Sequence, residues 1–272
     1  MTLPLLYLLC DSPEMWAADL QDPASGWMYA IIDLNDRILF YLVLLTVLVG
    51  WFLVRALLLS PSKSLPYRHE SHGDLLELGW TLSPALILWA IGLPSLRLLY
   101  LMDETVDPEL TVRAIGHQWY WSYEYGDALS EDGEPLGFDS FLVGDDSLEP
   151  GMRRMLEVDS PLVLPVSTSI RLLVSGADVI HSFAVPSLGI KLDAIPGRLN
   201  GAGIMITRPG TFYGQCSELC GFLHGMMPIT LRAVHLPAYL SYLDTLIQPY
   251  PSWGGASHLM EMSPRTGHTC LA

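Results

Sequence analysis

The chain has 272 residues, 50% of them apolar, and a formal net charge of −15. That length accommodates one compact domain together with membrane-spanning segments. The excess of acid excludes nucleic acid as a partner, because a phosphate backbone needs a basic face.

Residues 3–10 are apolar and end in Cys10, yet no basic segment precedes them and no small-residue processing site follows. Residues 1–14 are therefore expected to be a disposable leader or loose end within an outer segment, 1–33. The next features are two apolar stretches, 38–54, uncharged over 17 residues, and 78–96, uncharged over 19. At ~1.5 Å per residue the runs give about 26 and 29 Å of helix, close to the ~30 Å hydrocarbon layer and within the roughly 17–25 residues of a membrane span. A transmembrane helical hairpin is expected over 34–101, with an inner loop at 60–74. Pro84 and Pro94 fall inside the second span, where neighbouring helices can satisfy the freed carbonyls. Residues 1–36 hold six acids and no Lys or Arg, whereas Arg55, Lys63 and Arg68 flank the turn. The positive-inside rule then puts the loop on the matrix or cytoplasmic side and the C-terminal part outside. Glu77 is the acid at the inner end of the second span. An intramembrane carboxylate is a functional candidate, although near the headgroups it can simply snorkel.

From 103 to 149 there are thirteen acids against one base, Arg113. Such a run is usually a solvated face, but a negative field also speeds encounter with a basic partner. Short β-branched or aromatic runs follow at 112–125, 153–158, 169–174, 179–185, 203–207 and 227–234, separated by turn residues. They predict an all-β sandwich or barrel over 102–247. Residues 236–247 read as a closing helix and 248–272 as an irregular extension.

The densest chemistry is in Cys216-Ser217-Glu218-Leu219-Cys220-Gly221-Phe222-Leu223-His224-Gly225-Met226-Met227. Thiolate and thioether select copper over hard cations, and a weak Met ligand marks electron-transfer copper. A second Cys four positions on lets two sulfurs bridge a pair of ions, with His181 the best candidate for a second imidazole. A disulfide between these cysteines would close a tight ring. A structural zinc site would leave Met227 unused, and Cys-x-x-x-Cys alone also occurs in thiol oxidoreductases and metallochaperones. Cys10 and Cys270 have no assigned role.

This loop, together with Ile31-Ile32-Asp33-Leu34, Leu93-Pro94-Ser95-Leu96, Gly116-His117-Gln118-Trp119-Tyr120-Trp121 and Asp193-Ala194-Ile195-Pro196-Gly197-Arg198-Leu199-Asn200, resembles subunit II of the haem-copper cytochrome c oxidases, of the mitochondrial type. The likeness runs over about 16–247 and implies a cupredoxin-like Greek-key domain behind the helical hairpin. It implies a dinuclear Cu A centre held by His181 and His224, by Cys216 and Cys220 as bridging thiolates, by Met227 and by the Glu218 backbone carbonyl. The Glu218 side chain would reach a magnesium ion shared with subunit I. Trp119 would be the exposed point at which the electron from cytochrome c comes in, and Glu77 the mouth of a proton-uptake path. Phe183, Phe222 and Leu223 are reasonable neighbours of the copper. The resemblance further implies oxidase subunit I and cytochrome c as partners, and a place in the mitochondrial inner membrane with the β domain in the intermembrane space. A membrane-anchored copper carrier, or a structural subunit that has lost its metal, are the rival readings.

Overall fold

The computed structural model describes residues 10–59, 72–103, 107–130 and 133–247. Most of the inner loop, with Lys63 and Arg68, lies outside the described residues, as do Asp132 and the extension 248–272. The chain divides into a helical unit, Ala30–Leu101, and a β unit that takes in residues 10–29 as well as the chain after Leu101.

After a two-residue strand β1 (Cys10–Asp11), helices α1 (Gly26–Leu59) and α2 (Asp74–Asp103) follow in order. Both are long and apolar enough to cross a membrane. α1 starts twelve residues before the uncharged stretch, because charge is barred from hydrocarbon but not from helix. Asp33 and Arg37 pair at i, i+4 across its early turns at 2.7 Å. α2 carries Pro84 and Pro94 inside and buries none of its residues within the chain. Its large side chains, Trp80, Trp89 and Tyr100 among them, are exposed. Such faces are covered in the cell by lipid or by other membrane helices. Glu77 lies with Asp74 in the first turn of α2, where negative charge also suits the helix dipole.

The β unit continues through β2 (Leu110–His117), β3 (Tyr120–Leu129), β4 (Pro135–Ser140), β5 (Leu162–Pro165), β6 (Ile170–Gly176), β7 (His181–Val185), β8 (Ile190–Ala194), β9 (Asn200–Ile204), β10 (Gly210–Cys216), β11 (Pro228–Val234) and helix α3 (Leu236–Ile247). One sheet runs β4-β3-β2-β6-β9; the other runs β5-β11-β10-β7-β8, with β1 also pairing β10. Alternation along β3 sends Trp121, Tyr123 and Tyr125 fully inside. Trp121 meets Phe183 of the opposite sheet edge-on, with ring centroids 5.4 Å apart. This is the two-layer packing expected of a sandwich. α3 covers one end by placing Tyr239 against Tyr125.

Three expectations need correction. The run 112–125 is two strands, because the chain turns back at Gln118 and Trp119 with His117 paired to Tyr120. Residues 153–158 form turns with one bridge at Val158 instead of a strand. The β-branched content of 153–158 is low, and the Glu157 carboxylate accepts from the Arg153 amide and from the Tyr213 hydroxyl of β10. The strands β4, β5, β8 and β10 escaped notice because Gly, Pro or charged residues interrupt them and long-range pairing sustains them.

The third correction concerns the outer segment. β1 pairs in parallel with Thr211 and Phe212 of β10. Farther on, the Ala24 amide donates to the Ser187 carbonyl at 2.9 Å and the Thr207 amide to the Ala24 carbonyl at 2.9 Å. Ser25 Oγ donates to Leu188 O at 2.7 Å and Trp27 Nε1 to Gly203 O at 2.8 Å. Residues 10–28 are thus a strap across both sheets. Arg208 pins it, pairing with Asp11, donating to the carbonyls of Asp22 and Pro23, and lying over the Phe212 ring. Burial raises the Asp11 carboxyl more than Arg208 lowers it, so the ion pair itself adds modestly and the carbonyl bonds matter as much. Replacing Arg208 by alanine is expected to cost about 2 kcal/mol, because it leaves Asp11 and two carbonyls without their donor. Thermal unfolding of the purified full chain in detergent measures this, and an unchanged midpoint would show that the strap is not held by Arg208.

Candidate metal centre

The ligand candidates converge at the end of the sandwich where β10 runs into the loop that precedes β11. Cys216 is the last residue of β10 and pairs with Phe183, so His181, which opens β7, stands beside it. His181 Nδ1 is 4.0 Å from Cys216 Sγ. Across the loop, His224 Nδ1 is 3.6 Å and Met227 Sδ 3.5 Å from Cys220 Sγ. The Glu218 carbonyl accepts from Cys216 Sγ at 3.4 Å. The ligand atoms of His181, Cys216 and Cys220 lie within 4.8 Å of one another, and all three residues are buried. Each imidazole meets a different sulfur, which is the division a two-ion site needs. The two thiols are free, so no disulfide joins them.

Backbone geometry makes the loop possible. Gly221 takes φ +132°, a conformation that L side chains rarely adopt. A short 3₁₀ turn, His224–Met226, then brings Met227 inward, where it is 1% exposed. Trp121 Nε1 donates to the Met227 carbonyl at 3.4 Å.

His181 is fully buried, and its Nε2 faces Asp178 Oδ1 at 2.8 Å. An ionised carboxylate only accepts, so Nε2 carries a proton toward Asp178, which leaves Nδ1 as the atom a metal would take. Burial opposes charge on both partners. Hydrogen bonding nonetheless lowers the Asp178 carboxyl and raises the His181 imidazole. Burial likewise works against a Cys216 thiolate, but hydrogen bonds from the protonated His181 imidazole and from the Glu218 and Ser182 backbone outweigh it and bring this thiol down to about 6. For Cys220, burial and the adjacent Cys216 charge act together and push it up to about 12.

The structure departs from expectation at two aromatic positions. Trp119 is half-buried instead of exposed, its indole packed against Gly221, and Nε1 has no hydrogen-bond partner among the described residues. Phe222 is 93% exposed and so is no part of the copper surroundings, whereas Phe183 is fully enclosed. Two contributors went unnoticed in the sequence. Asp178 was legible in principle, as a carboxylate three residues before a histidine ligand. Gln118 carried no local signal, since its partners are 60 and 102 residues away.

A buried group of two thiols and an imidazole on a β-sandwich, in a chain that also has two apolar helices, defines a class, membrane-anchored proteins with a candidate soft-metal site. Residues 110–234 match the family model for the periplasmic domain of cytochrome c oxidase subunit II, and residues 13–98 match its transmembrane domain. The chain belongs to the cytochrome c oxidase subunit II family. Curated relatives named cytochrome c oxidase subunit 2 include those of Zancudomyces culisetae, 50% identical over 89% of this chain and 95% of that protein, and Mycosarcoma maydis, 52% identical over 86% and 93%. Another is from Oenothera berteroana, 50% identical over 89% and 94%. Among solved structures, the periplasmic domain of subunit II of cytochrome oxidase from Bradyrhizobium japonicum is 46% identical, covering 53% of this chain and 96% of its own, with a TM-score of 0.47.

Proposed function

We propose that this chain is the electron-accepting subunit of a mitochondrial cytochrome c oxidase. In this reading it takes electrons from cytochrome c at a dinuclear Cu A centre and passes them to haem in subunit I. Oxygen reduction to water and proton pumping then follow in the assembled enzyme. The convergence of His181, Cys216, Cys220, His224 and Met227, all but His224 buried and with one imidazole to each sulfur, carries the reading.

The donor set fits copper. It is soft and buried, and Met227 completes it as the weak ligand that zinc has no use for. A copper pair held by these residues would supply one-electron transfer with little reorganisation, because one charge would be shared between two ions. The protein's own residues supply the conditions for that. Cys216 and Cys220 would hold the copper through their sulfurs, and the Glu218 carbonyl lies 3.4 Å from Cys216 Sγ. Asp178 fixes the His181 tautomer, and the wall of Trp121 and Phe183 keeps water out. Such partners tune both affinity and potential. The Glu218 side chain, on an exposed residue of the loop, is left to take a magnesium ion shared with subunit I. Trp119, packed on the loop at Gly221, receives the electron, and Glu77 opens a proton-uptake path. The outer face of the mitochondrial inner membrane carries the β domain, in the intermembrane space.

The experiment is metal analysis with electron spin resonance of the purified full-length chain, separated from the other oxidase subunits. Two coppers per chain and hyperfine splitting shared equally by two copper nuclei are expected. Zinc, or a single cupric ion, at the site refutes the reading.

The acidic surface is expected to steer a basic partner. Asp145 and Asp146 are exposed, and Asp145 is joined to Arg154 by a surface pair at 3.1 Å that offsets little of the local charge. Reversing Asp145 and Asp146 to lysine should slow association of cytochrome c about tenfold at low salt, with the difference shrinking as salt screens it. Stopped-flow association rates across a salt series test this, and rates equal to wild type would remove these two acids from the docking surface.

A further inference from the structure

Gln118 lies at the tip of the β2–β3 hairpin, between the paired residues of that turn and outside the ligand set. Both of its hydrogen bonds nevertheless go to the metal centre. Its backbone amide donates to Asp178 Oδ2 at 2.7 Å, and its side-chain Nε2 donates to the Cys220 carbonyl at 2.8 Å. Asp178 in turn uses Oδ1 to accept from His181 Nε2 at 2.8 Å and from the Val179 amide at 2.6 Å. One residue thus touches the supports of the two ligand-bearing segments, one before β7 and one after β10.

We infer that Gln118 is a positioning residue, a clamp that sets the direction of the Cys220 sulfur and, through Asp178, the orientation of the His181 imidazole. The physical need is specific. The peptide between Cys220 and Gly221 enters a left-handed backbone at φ +132°. No strand pairing therefore fixes its plane, and the amide donated to the Cys220 carbonyl does so instead. Rotation of that plane swings the Cys220 side chain. On the other arm, the carboxylate of Asp178 is held by three N–H groups. Loss of the Gln118 amide from that set frees the carboxylate to turn, and the imidazole turns with it. Trp119 follows Gln118 directly, and a Cβ on Gly221 would lie 3.2 Å from its ring. The same clamp therefore seats the indole against the metal-binding loop.

The inference rests on the copper reading above, and the test separates the two. In the purified full-length oxidase, Gln118→Met keeps the length of the side chain and removes the donor. Asp178→Asn loosens the other arm. The readouts are the electron spin resonance and optical spectra of the copper pair, the rate of copper loss to a chelator, and the dissociation constant for cytochrome c. For Gln118→Met the spectra are expected to shift and copper loss to accelerate about tenfold, the ordinary consequence of losing a partner that orients a ligand. Spectra and copper retention equal to wild type overturn the inference, whether or not cytochrome c binds more weakly. Gln118→Glu, isosteric and also without the donor, reads the same contact if Gln118→Met does not assemble. A wild-type enzyme without a copper pair refutes the proposed function itself, whereas a wild-type pair unmoved by either Gln118 variant refutes the clamp alone.

Discussion

Replacing Cys220 by serine is expected to abolish the copper pair while leaving the β domain folded. Cys220 is 4% exposed, and its sulfur is 3.6 Å from His224 Nδ1 and 3.5 Å from Met227 Sδ. It is the atom through which that half of the ligand set meets Cys216. A serine oxygen is hard, shorter in reach and protonated at neutral pH, so it neither bridges nor selects copper. Because loss of an outer orienting partner already costs ~10–100-fold in affinity, loss of a bridging ligand exceeds that range. Electron uptake from reduced cytochrome c should fall at least about a hundredfold. Stability should change by only about 1–2 kcal/mol, the cost of a buried hydroxyl. Copper content, spin resonance and the thermal midpoint separate these effects. A variant that keeps both coppers would show that the sulfurs do not bridge. Met227→Leu makes the contrast. It keeps the volume and removes a weak ligand, so the metal stays and the potential moves.

Gly116→Ala is expected to have the next largest effect, and it acts without touching a ligand covalently. A Cβ at Gly116 would lie 2.8 Å from His181 Cγ and Cδ2 and 2.9 Å from its Cβ. These are closer than packed atoms tolerate, and neither partner can yield easily. Gly116 is fixed between Trp121 of β3 and Gly176 of β6. His181 is fully buried, paired to Ala194 in β8 and held by Asp178. Overpacking of this kind costs about 1–3 kcal/mol. The imidazole is the group that moves, because a side chain rotates more cheaply than two sheets separate. Copper retention should drop about tenfold or more with a visible change in the copper spectrum. An unaltered spectrum with full copper content would mean that His181 is not held against β2 as the structure shows.

What could be read along the chain was whatever depends on near neighbours. Charge-free runs of membrane-spanning length announce helices 26–59 and 74–103 whatever the rest of the protein does, since every backbone group is satisfied within the segment. The spacing of Cys216, Cys220, His224 and Met227 is equally local, and a soft ligand set keeps its meaning in any fold. Helix α3 matched residues 236–247 because its apolar periodicity and the preceding turn are complete within one segment.

The remainder was decided by contacts between distant residues. Strand β10 contains two glycines and begins after a proline, so its own preferences are weak. It exists because β11, β7 and β1 supply its ladder bonds. The strap at 10–28 is invisible as sequence, since its polar groups find partners some 160 to 200 residues away. Likewise, the approach of His181 to Cys216, the carboxylate of Asp178 behind it and the reach of Gln118 to Cys220 arise only when two sheets close on Trp121 and Phe183. Residue type and spacing pointed to the metal that the proposed site would take. Long-range strand pairing alone decided that the ligands meet, because hydrogen bonds across a sheet join positions that no local pattern relates.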